Sequence, residues 1–315
     1  MVLSTIVYSI GILTCFSILF KLFNFIHLHT RASSLPRYRQ KPNSWALVTG
    51  SSDGIGLAIA KELASNSFNV ILHGRNPTKL ENLKKQLSHD FPKIEFLSLV
   101  LDASSALSEE QISESIRLLQ NLHLTVLVNN VGGTEAVMNP AVRPFSEHSR
   151  QDIDKIFNLN TIFASQLIRA LWPMLLKNTP SLIMNISSAA SIGFPYCTVY
   201  SGCKAYIESF TRALYAEAHA EINDVEVLGI VVGKVTNVGH RKEPVSFATP
   251  DARTMARAAL GKVGCGNAVV SGYWVHALQV AGFGILPEWM LVRVMGMVMR
   301  GLEESNRKEQ MRKMS

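Results

Sequence analysis

Tyr200 and Lys204 stand four residues apart in Tyr200-Ser201-Gly202-Cys203-Lys204, a spacing that puts both side chains on one face if the segment is helical. A free tyrosine, with a pKa of about 10, is a poor acid or base at neutral pH. A neighbouring ammonium favours the phenolate and moves the tyrosine toward the working range. So tuned, it can give a proton to a carbonyl oxygen as hydride reaches the carbon, or take one back in the reverse direction. A lysine in the same place can also hydrogen-bond a nicotinamide ribose. Such pairs are common on surface helices, so the preceding residues decide. Asn185-Ile186-Ser187-Ser188 closes an apolar run, and a serine hydroxyl there can hold the substrate oxygen beside Tyr200.

A second cluster points to the source of the hydride. Thr49-Gly50-Ser51-Ser52-Asp53-Gly54-Ile55-Gly56 follows an apolar run and opens a helical one. Gly50 permits a tight turn, Gly54 lets the backbone approach a pyrophosphate, and Gly56 lets the helix start pack on the strand. The helix N-terminus adds amide donors and a positive dipole, and Ser52, Asp53 and Ile55 belong to the same binding turn. Three glycines mean little alone; placed between a strand and a helix they carry weight. The next strand ends at Leu72-His73-Gly74-Arg75-Asn76, where an acid would hold the ribose hydroxyls of NAD. No acid stands there, and Arg75 is placed to pair with a 2′-phosphate, so NADP(H) is the expected cofactor. Asp102 could bond the adenine amino group, and Asn130, in Asn129-Asn130-Val131-Gly132, could supply backbone contacts along the cofactor. Both are also ordinary turn formers.

These residues need a scaffold that gathers distant segments. From Trp45 onward, short apolar runs at 46–49, 70–73, 94–101, 125–129, 182–186 and 225–232 alternate with helical patterns such as 56–65, 79–87 and 153–176. The alternation predicts βαβ units and an α/β, doubly wound (Rossmann) parallel sheet. Ala46-Leu47-Val48 is apolar throughout, as expected of a strand covered by helices on both faces. Residues 236–252 read as a loop with a short helix, a candidate lid.

The chain of 315 residues suffices for one such domain with additions at both ends. Apolar residues make up 47% and charged ones only 17%, and the apolar excess sits at the termini. Residues 2–20 carry no charge and are about long enough to cross a bilayer core. Lys21, Arg31, Arg37, Arg39 and Lys41 follow with no acid among them, which by the positive-inside tendency places the rest in the cytosol. A cleaved signal peptide would want basic residues before the apolar run and small ones after it; Phe23, Phe25 and Ile26 stand there instead. The expected division is a transmembrane anchor at 1–21, a basic linker at 22–44, the reductase domain at 45–272 and apolar or amphipathic helices at 273–315. The last part should begin beside an edge strand and continue in helices that rest on the membrane or roof the substrate entrance. His276 reads as a hydrogen-bonded structural histidine, and Met290, Met295, Met297 and Met299 as packing or lipid contact. The net charge of +7 does not call for nucleic acid, because basic residues flank the apolar ends where anionic headgroups attract them. Cys15, Cys197, Cys203 and Cys265 lack metal-binding spacing and read as reduced thiols.

In this order the motifs resemble the short-chain dehydrogenase/reductase family. A closer likeness is to the very-long-chain 3-oxoacyl-CoA reductases and type-12 17β-hydroxysteroid dehydrogenases. It runs through the anchor, Asp53-Gly54-Ile55-Gly56, Phe157-Asn158-Leu159-Asn160, Asn185-Ile186-Ser187-Ser188, 248–264 and 272–278. The resemblance implies a reductase of the endoplasmic reticulum membrane, facing the cytosol, that takes acyl-CoA thioesters or steroid-like ketones. A homodimer or elongation-complex partners would accompany it. It implies that Tyr200 is the acid/base, Lys204 its pKa-lowering partner, Ser188 the orienting serine, and Asn160 the residue ordering a water that links Lys204 to solvent. Asn158 is the alternative to Asn160, with Leu159 and Pro173 setting the register for the latter. With Ser188 the serine-to-tyrosine gap is one residue short; Ser187 restores the gap but breaks the match, and stays as the alternative. The turn Val231-Val232-Gly233-Lys234-Val235-Thr236 has valine at 232 where the family often has proline, leaving the amide at Val235 to contact the nicotinamide carboxamide.

The function expected first is NADPH-dependent reduction of 3-oxoacyl-CoA to 3-hydroxyacyl-CoA in long-chain fatty-acid elongation. A steroid, polyketide or other secondary-metabolite ketone is the alternative, decided by loops 131–149 and 235–250. A non-catalytic membrane scaffold is the reading from another class, and the presence of Tyr200, Lys204, Asn160 and the glycines argues against it.

Overall fold

The computed structural model describes residues 2–314 apart from 222, 237 and 239–243. Seven short apolar segments form one sheet: β1 (Ser44–Val48), β2 (Asn69–Gly74), β3 (Phe96–Val100), β4 (His123–Asn129), β5 (Ser181–Ser188), β6 (Val225–Val232) and β7 (Val269–Ser271). They lie in the order β3-β2-β1-β4-β5-β6-β7, and every pairing is parallel. Helices α2 (Gly54–Ser65), α3 (Pro77–Asp90), α4 (Glu109–Arg117), α5 (Arg150–Phe157), α6 (Phe163–Lys177), α7 (Thr198–Ala220) and α8 (Ala252–Leu260) make the crossovers.

Side chains alternate across each strand, which explains why the strands are apolar without a break. Val48, Val70, Val126, Met184 and Leu228 face a core shared with Ile59, Leu63 and Met255 of α2 and α8. Their neighbours Leu47, Ile71, Leu127, Ile183 and Val227 face the opposite core, built with Leu167 and Leu171 of α6. The expected doubly wound sheet is therefore present, with β7 as its edge strand. The helical stretch expected at 153–176 is interrupted by a wider π turn at Asn158–Ile162. The short helix expected within 236–252 lies partly outside the described residues; from 244 the described chain is extended and bent until α8 begins.

Helix α1 (Val2–Thr30) precedes the sheet, and its segment Ser4–Thr30 is long and apolar enough to cross a membrane. Its 27 residues span about 40 Å at 1.5 Å each, more than the ~30 Å hydrocarbon core. Ile10, Leu13, Phe16, Leu19 and Phe23 stand exposed along it. The helix runs nine residues past the expected anchor end at 21, since no proline or glycine intervenes before Ser33, Ser34 and Pro36.

Residues 28–44 do not behave as a slack linker. Lys262 Nζ caps the end of α1, bonding Leu28 O at 3.0 Å and lying 2.7 Å from His29 Nδ1. Arg31 donates to Val263 O at 2.9 Å, Ser33 to Leu260 O at 2.6 Å, and Arg37 pairs with Asp224 at 2.6 Å. Tyr38 bonds Glu226 from a buried position. The end of α1 is thus fastened beside the last turn of α8.

Helices α9 (Trp274–Ile285) and α10 (Glu288–Met314) follow the edge strand. Met295 and Met299 of α10 pack on Val142, with Phe194 and Tyr196 alongside. The helix leaves Trp289, Val292, Met297 and Val298 exposed.

Candidate active site

In an open α/β sheet, ligands settle at the carboxyl ends of the strands where the strand order reverses, here between β1 and β4. The glycine turn lies there. Gly50 and Gly54 have φ of 64° and 55°, a region that L side chains seldom enter. A Cβ on Gly50 would sit 2.9 Å from Val131 Cα, and one on Gly56 would strike Gly50 O. Helix α2 starts at Gly54, and Asp53 caps it by accepting from the Gly54 amide at 2.7 Å. The remaining first-turn amides have no acceptor within the helix and, with the helix dipole, suit a phosphate.

Neighbouring strands brace this turn. Thr49 Oγ1 accepts from the amides of Asn130 and Val131 at 2.9 and 3.0 Å. Asn130 Nδ2 donates to Thr49 O at 3.0 Å, so its side chain holds the loop from within. His73, which the sequence reading left without a role, accepts from the Gly50 amide through Nδ1 at 3.2 Å. It is fully buried and stacked on Phe163 at 4.9 Å. Burial pushes its pKa down to about 4, which keeps the ring neutral and the acceptor available. The available signal was a lone imidazole at the end of an otherwise apolar strand.

Arg75 stands exposed just past β2, with its guanidinium on Ala136 O at 3.1 Å. Ser52 Oγ lies 3.6 Å from where a Cβ on Gly74 would be, next to this arginine. Burial alone would raise the Asp102 carboxyl; bonds from Ser104 and the Arg75 charge outweigh it and hold the group below its usual value. Asp102 takes the Ser104 amide at 3.0 Å and hydroxyl at 2.7 Å; like Asn130, it shapes its own turn. Cation, hydroxyl, glycine turn and helix start, with no acid directly after β2, fit NADP(H).

The catalytic candidates meet across α7, β5 and the π turn. Lys204 Nζ lies 5.6 Å from the Tyr200 ring centroid, as one helical turn of separation requires. Lys204 is 4% exposed, and Nζ donates to Ile186 O at 2.9 Å. Burial lowers its pKa from 10.5 to about 8. Asn160 Nδ2 donates to Gly133 O and Ile156 O, both at 2.9 Å, and Oδ1 accepts from the Gly133 amide at 2.8 Å. A Cβ on Gly132 would lie 2.8 Å from Asn160 Oδ1 and 3.1 Å from Lys204 Nζ, so the two groups approach each other over a residue that must be small. Asn158 instead reaches Ser104 O at 3.3 Å. Inserted π turns are frequent at functional sites, and this one carries Asn160.

The two serines differ in direction. Ser187 is 2% exposed, and its hydroxyl lies against Lys204 O at 3.2 Å and Glu208 Oε1 at 3.0 Å. Ser188 is at the open end of β5, where Oγ accepts from the Ala190 amide at 3.2 Å and retains its own proton to donate. After β6, Val235 is buried, and the Val238 side chain lies 3.2 Å from a Cβ position on Gly54. Val238 therefore stands over the glycine turn. His276 is buried and bonded through both ring nitrogens.

A Rossmann sheet with a glycine turn at its switch point and a tyrosine–lysine pair one turn apart is the site of a nicotinamide-dependent dehydrogenase. Residues 44–244 match the short chain dehydrogenase family, and this chain belongs to it. A very-long-chain 3-oxoacyl-CoA reductase-like protein of Arabidopsis thaliana is 31% identical over 265 residues, 82% of each chain. The human protein named inactive hydroxysteroid dehydrogenase-like protein 1 is 31% identical over 288 residues, 90% of this chain and 83% of that one. Among solved structures, a 7β-hydroxysteroid dehydrogenase superposes with a TM-score of 0.70 at 18% identity, covering 82% of this chain and 99% of that one. That likeness speaks for the fold alone.

Proposed function

We propose that this protein is an NADPH-dependent reductase of lipophilic ketones, with long-chain 3-oxoacyl-CoA as its substrate. We further propose that it works from the endoplasmic reticulum membrane with its catalytic domain in the cytosol. The observation that carries the chemistry is the meeting of Tyr200, Lys204 and Asn160 beside the glycine turn. The thioester is supported by relatives named for it at about 30% identity over four-fifths of the chain. Hydroxysteroid dehydrogenase-like relatives favour a steroid ketone as the second reading.

Bound NADPH supplies the hydride. Ser188 and Tyr200 hold the substrate oxygen between their hydroxyls, and Tyr200 gives it a proton as negative charge develops there. Lys204, with a pKa of about 8, stays mostly protonated at neutral pH and favours the phenolate left behind. Asn160, by tying the π turn to Gly133, positions the water that returns a proton to Lys204 from solvent. The word "inactive" in the human relative's name belongs to that protein; here every group this chemistry needs is present.

The test is NADPH oxidation by the full chain in detergent, with a long-chain 3-oxoacyl-CoA beside steroid and polyketide ketones. Turnover on the thioester should fall about 10²- to 10⁴-fold in Tyr200→Phe, the range of general acid catalysis. Turnover on a steroid alone would overturn the substrate, and no turnover on any ketone would overturn the reductase.

A further inference from the structure

Helix α9 carries one buried side chain, His276, and it is completely enclosed. An imidazole so placed must satisfy both nitrogens. Nδ1 accepts from the Gly233 amide at 3.0 Å, which puts the proton on Nε2, and Nε2 donates to Lys234 O at 3.2 Å. One ring thus grips two peptide units, the one that enters Gly233 and the one that joins Lys234 to Val235. The fit is close on every side: a Cβ on Gly233 would lie 2.6 Å from the ring, and Tyr273 meets the ring edge-on at 5.2 Å. Burial holds the histidine pKa below its ordinary value, so the ring stays neutral with one acceptor and one donor.

The gripped units lead directly into Val235. They follow β6, whose last residue Val232 pairs with Ser188 at the end of β5. Just beyond, the Thr236 amide donates to Pro250 O at 3.0 Å, and Val238 stands against Gly54. A proline at 232 would fix the backbone by its ring; Val232 does not, and the restraint comes from α9 instead.

We infer that His276 is a positioning residue, holding Gly233 and Lys234 so that the Val235 amide meets the nicotinamide carboxamide beside Tyr200. The inference rests on the reading of this chain as an NADPH-dependent reductase. It makes α9 part of the cofactor site through the backbone that His276 holds. A wrongly placed backbone amide weakens the hold on the carboxamide oxygen and with it the alignment needed for hydride transfer.

The experiment compares NADPH with its thionicotinamide analogue, whose sulfur is the poorer acceptor, in full-length protein with a ketone that the wild type reduces. His276→Phe keeps the ring and removes both bonds. Its kcat/KM with NADPH should fall ~10-fold or more, as for two lost hydrogen bonds, while kcat/KM with the analogue falls much less. The preference for NADPH over the analogue should therefore shrink. His276→Asn, whose Oδ1 can take the Gly233 amide, should recover that preference better than His276→Gln, which reaches only toward Lys234. This pair carries the comparison if His276→Phe does not fold. Equal losses with both cofactors in all variants would overturn the inference and leave His276 as packing for α9. A wild type that oxidises NADPH no faster with any ketone than without one would instead overturn the parent reading.

Discussion

Replacing Lys204 by methionine should inactivate the protein and make it more stable. The lysine is buried, and its charge is held there against the cost of leaving water. At about 1.4 kcal/mol per pKa unit, the fall from 10.5 to about 8 corresponds to about 3 kcal/mol of destabilisation. Methionine fills a similar volume without charge but gives up the bond to Ile186 O, worth about 1 kcal/mol. The net gain of about 2 kcal/mol should raise Tm by about 4–8 °C for a domain of this size. The sign with pH follows from the direction of the shift. Below pH 8 folded and unfolded chains both hold the proton, and the penalty is present in full. Between pH 8 and 10.5 the unfolded chain holds it more tightly, so wild-type stability rises relative to the variant. Thermal unfolding of both proteins in detergent at pH 7 and pH 10, at one scan rate, measures the gap. A variant that melts no higher than wild type at pH 7, or a gap unchanged at pH 10, would refute the reasoning.

Arg75→Gln should raise KM for NADPH by about 10- to 100-fold, the loss of a charge-assisted bond, and leave KM for NADH nearly unchanged. Equal loss with both cofactors would mean that Arg75 serves only its contact with Ala136 O. Asn160→Ala should lower Tm, since it leaves the Gly133 amide and Ile156 O without their partner at about 1–3 kcal/mol. It should also reduce kcat well beyond the effect of Asn158→Ala, whose bond to Ser104 O lies elsewhere. Equal effects of the two substitutions on kcat would remove Asn160 from the site.

The sequence was informative where chemistry restricts residue type. A turn that admits no Cβ needs Gly50, Gly54 and Gly56, and an acid–base pair on one helix face needs Tyr200 and Lys204 at a fixed interval. The strands were legible because burial on both faces makes them continuously apolar. Residues 22–44 were not, because local sequence cannot distinguish an arginine facing lipid headgroups from one bonded to a distant partner. Arg31 and Arg37 belong to the second kind, meeting Val263 O and Asp224. The two serines show the same limit. Spacing favoured Ser187 and likeness favoured Ser188, and only the turn of Ser187 toward Glu208 separates them.

Four departures from regular pattern share one place. A neutral histidine near the end of β2, the buried Lys204, a π turn in a long helix, and the left-handed Gly50 and Gly54 all lie at the carboxyl edge of the sheet. Each is unfavourable taken alone, and local and global preferences normally agree except where function opposes them. His73 braces the glycine turn, Lys204 lies beside the Tyr200 ring, and the π turn brings Asn160 toward Lys204 over Gly132. His276 is a similar departure, the one buried side chain of an apolar helix, and its bonds lead to the same edge. That shared direction is the reason to assign it to the cofactor site and not to the packing of α9 alone.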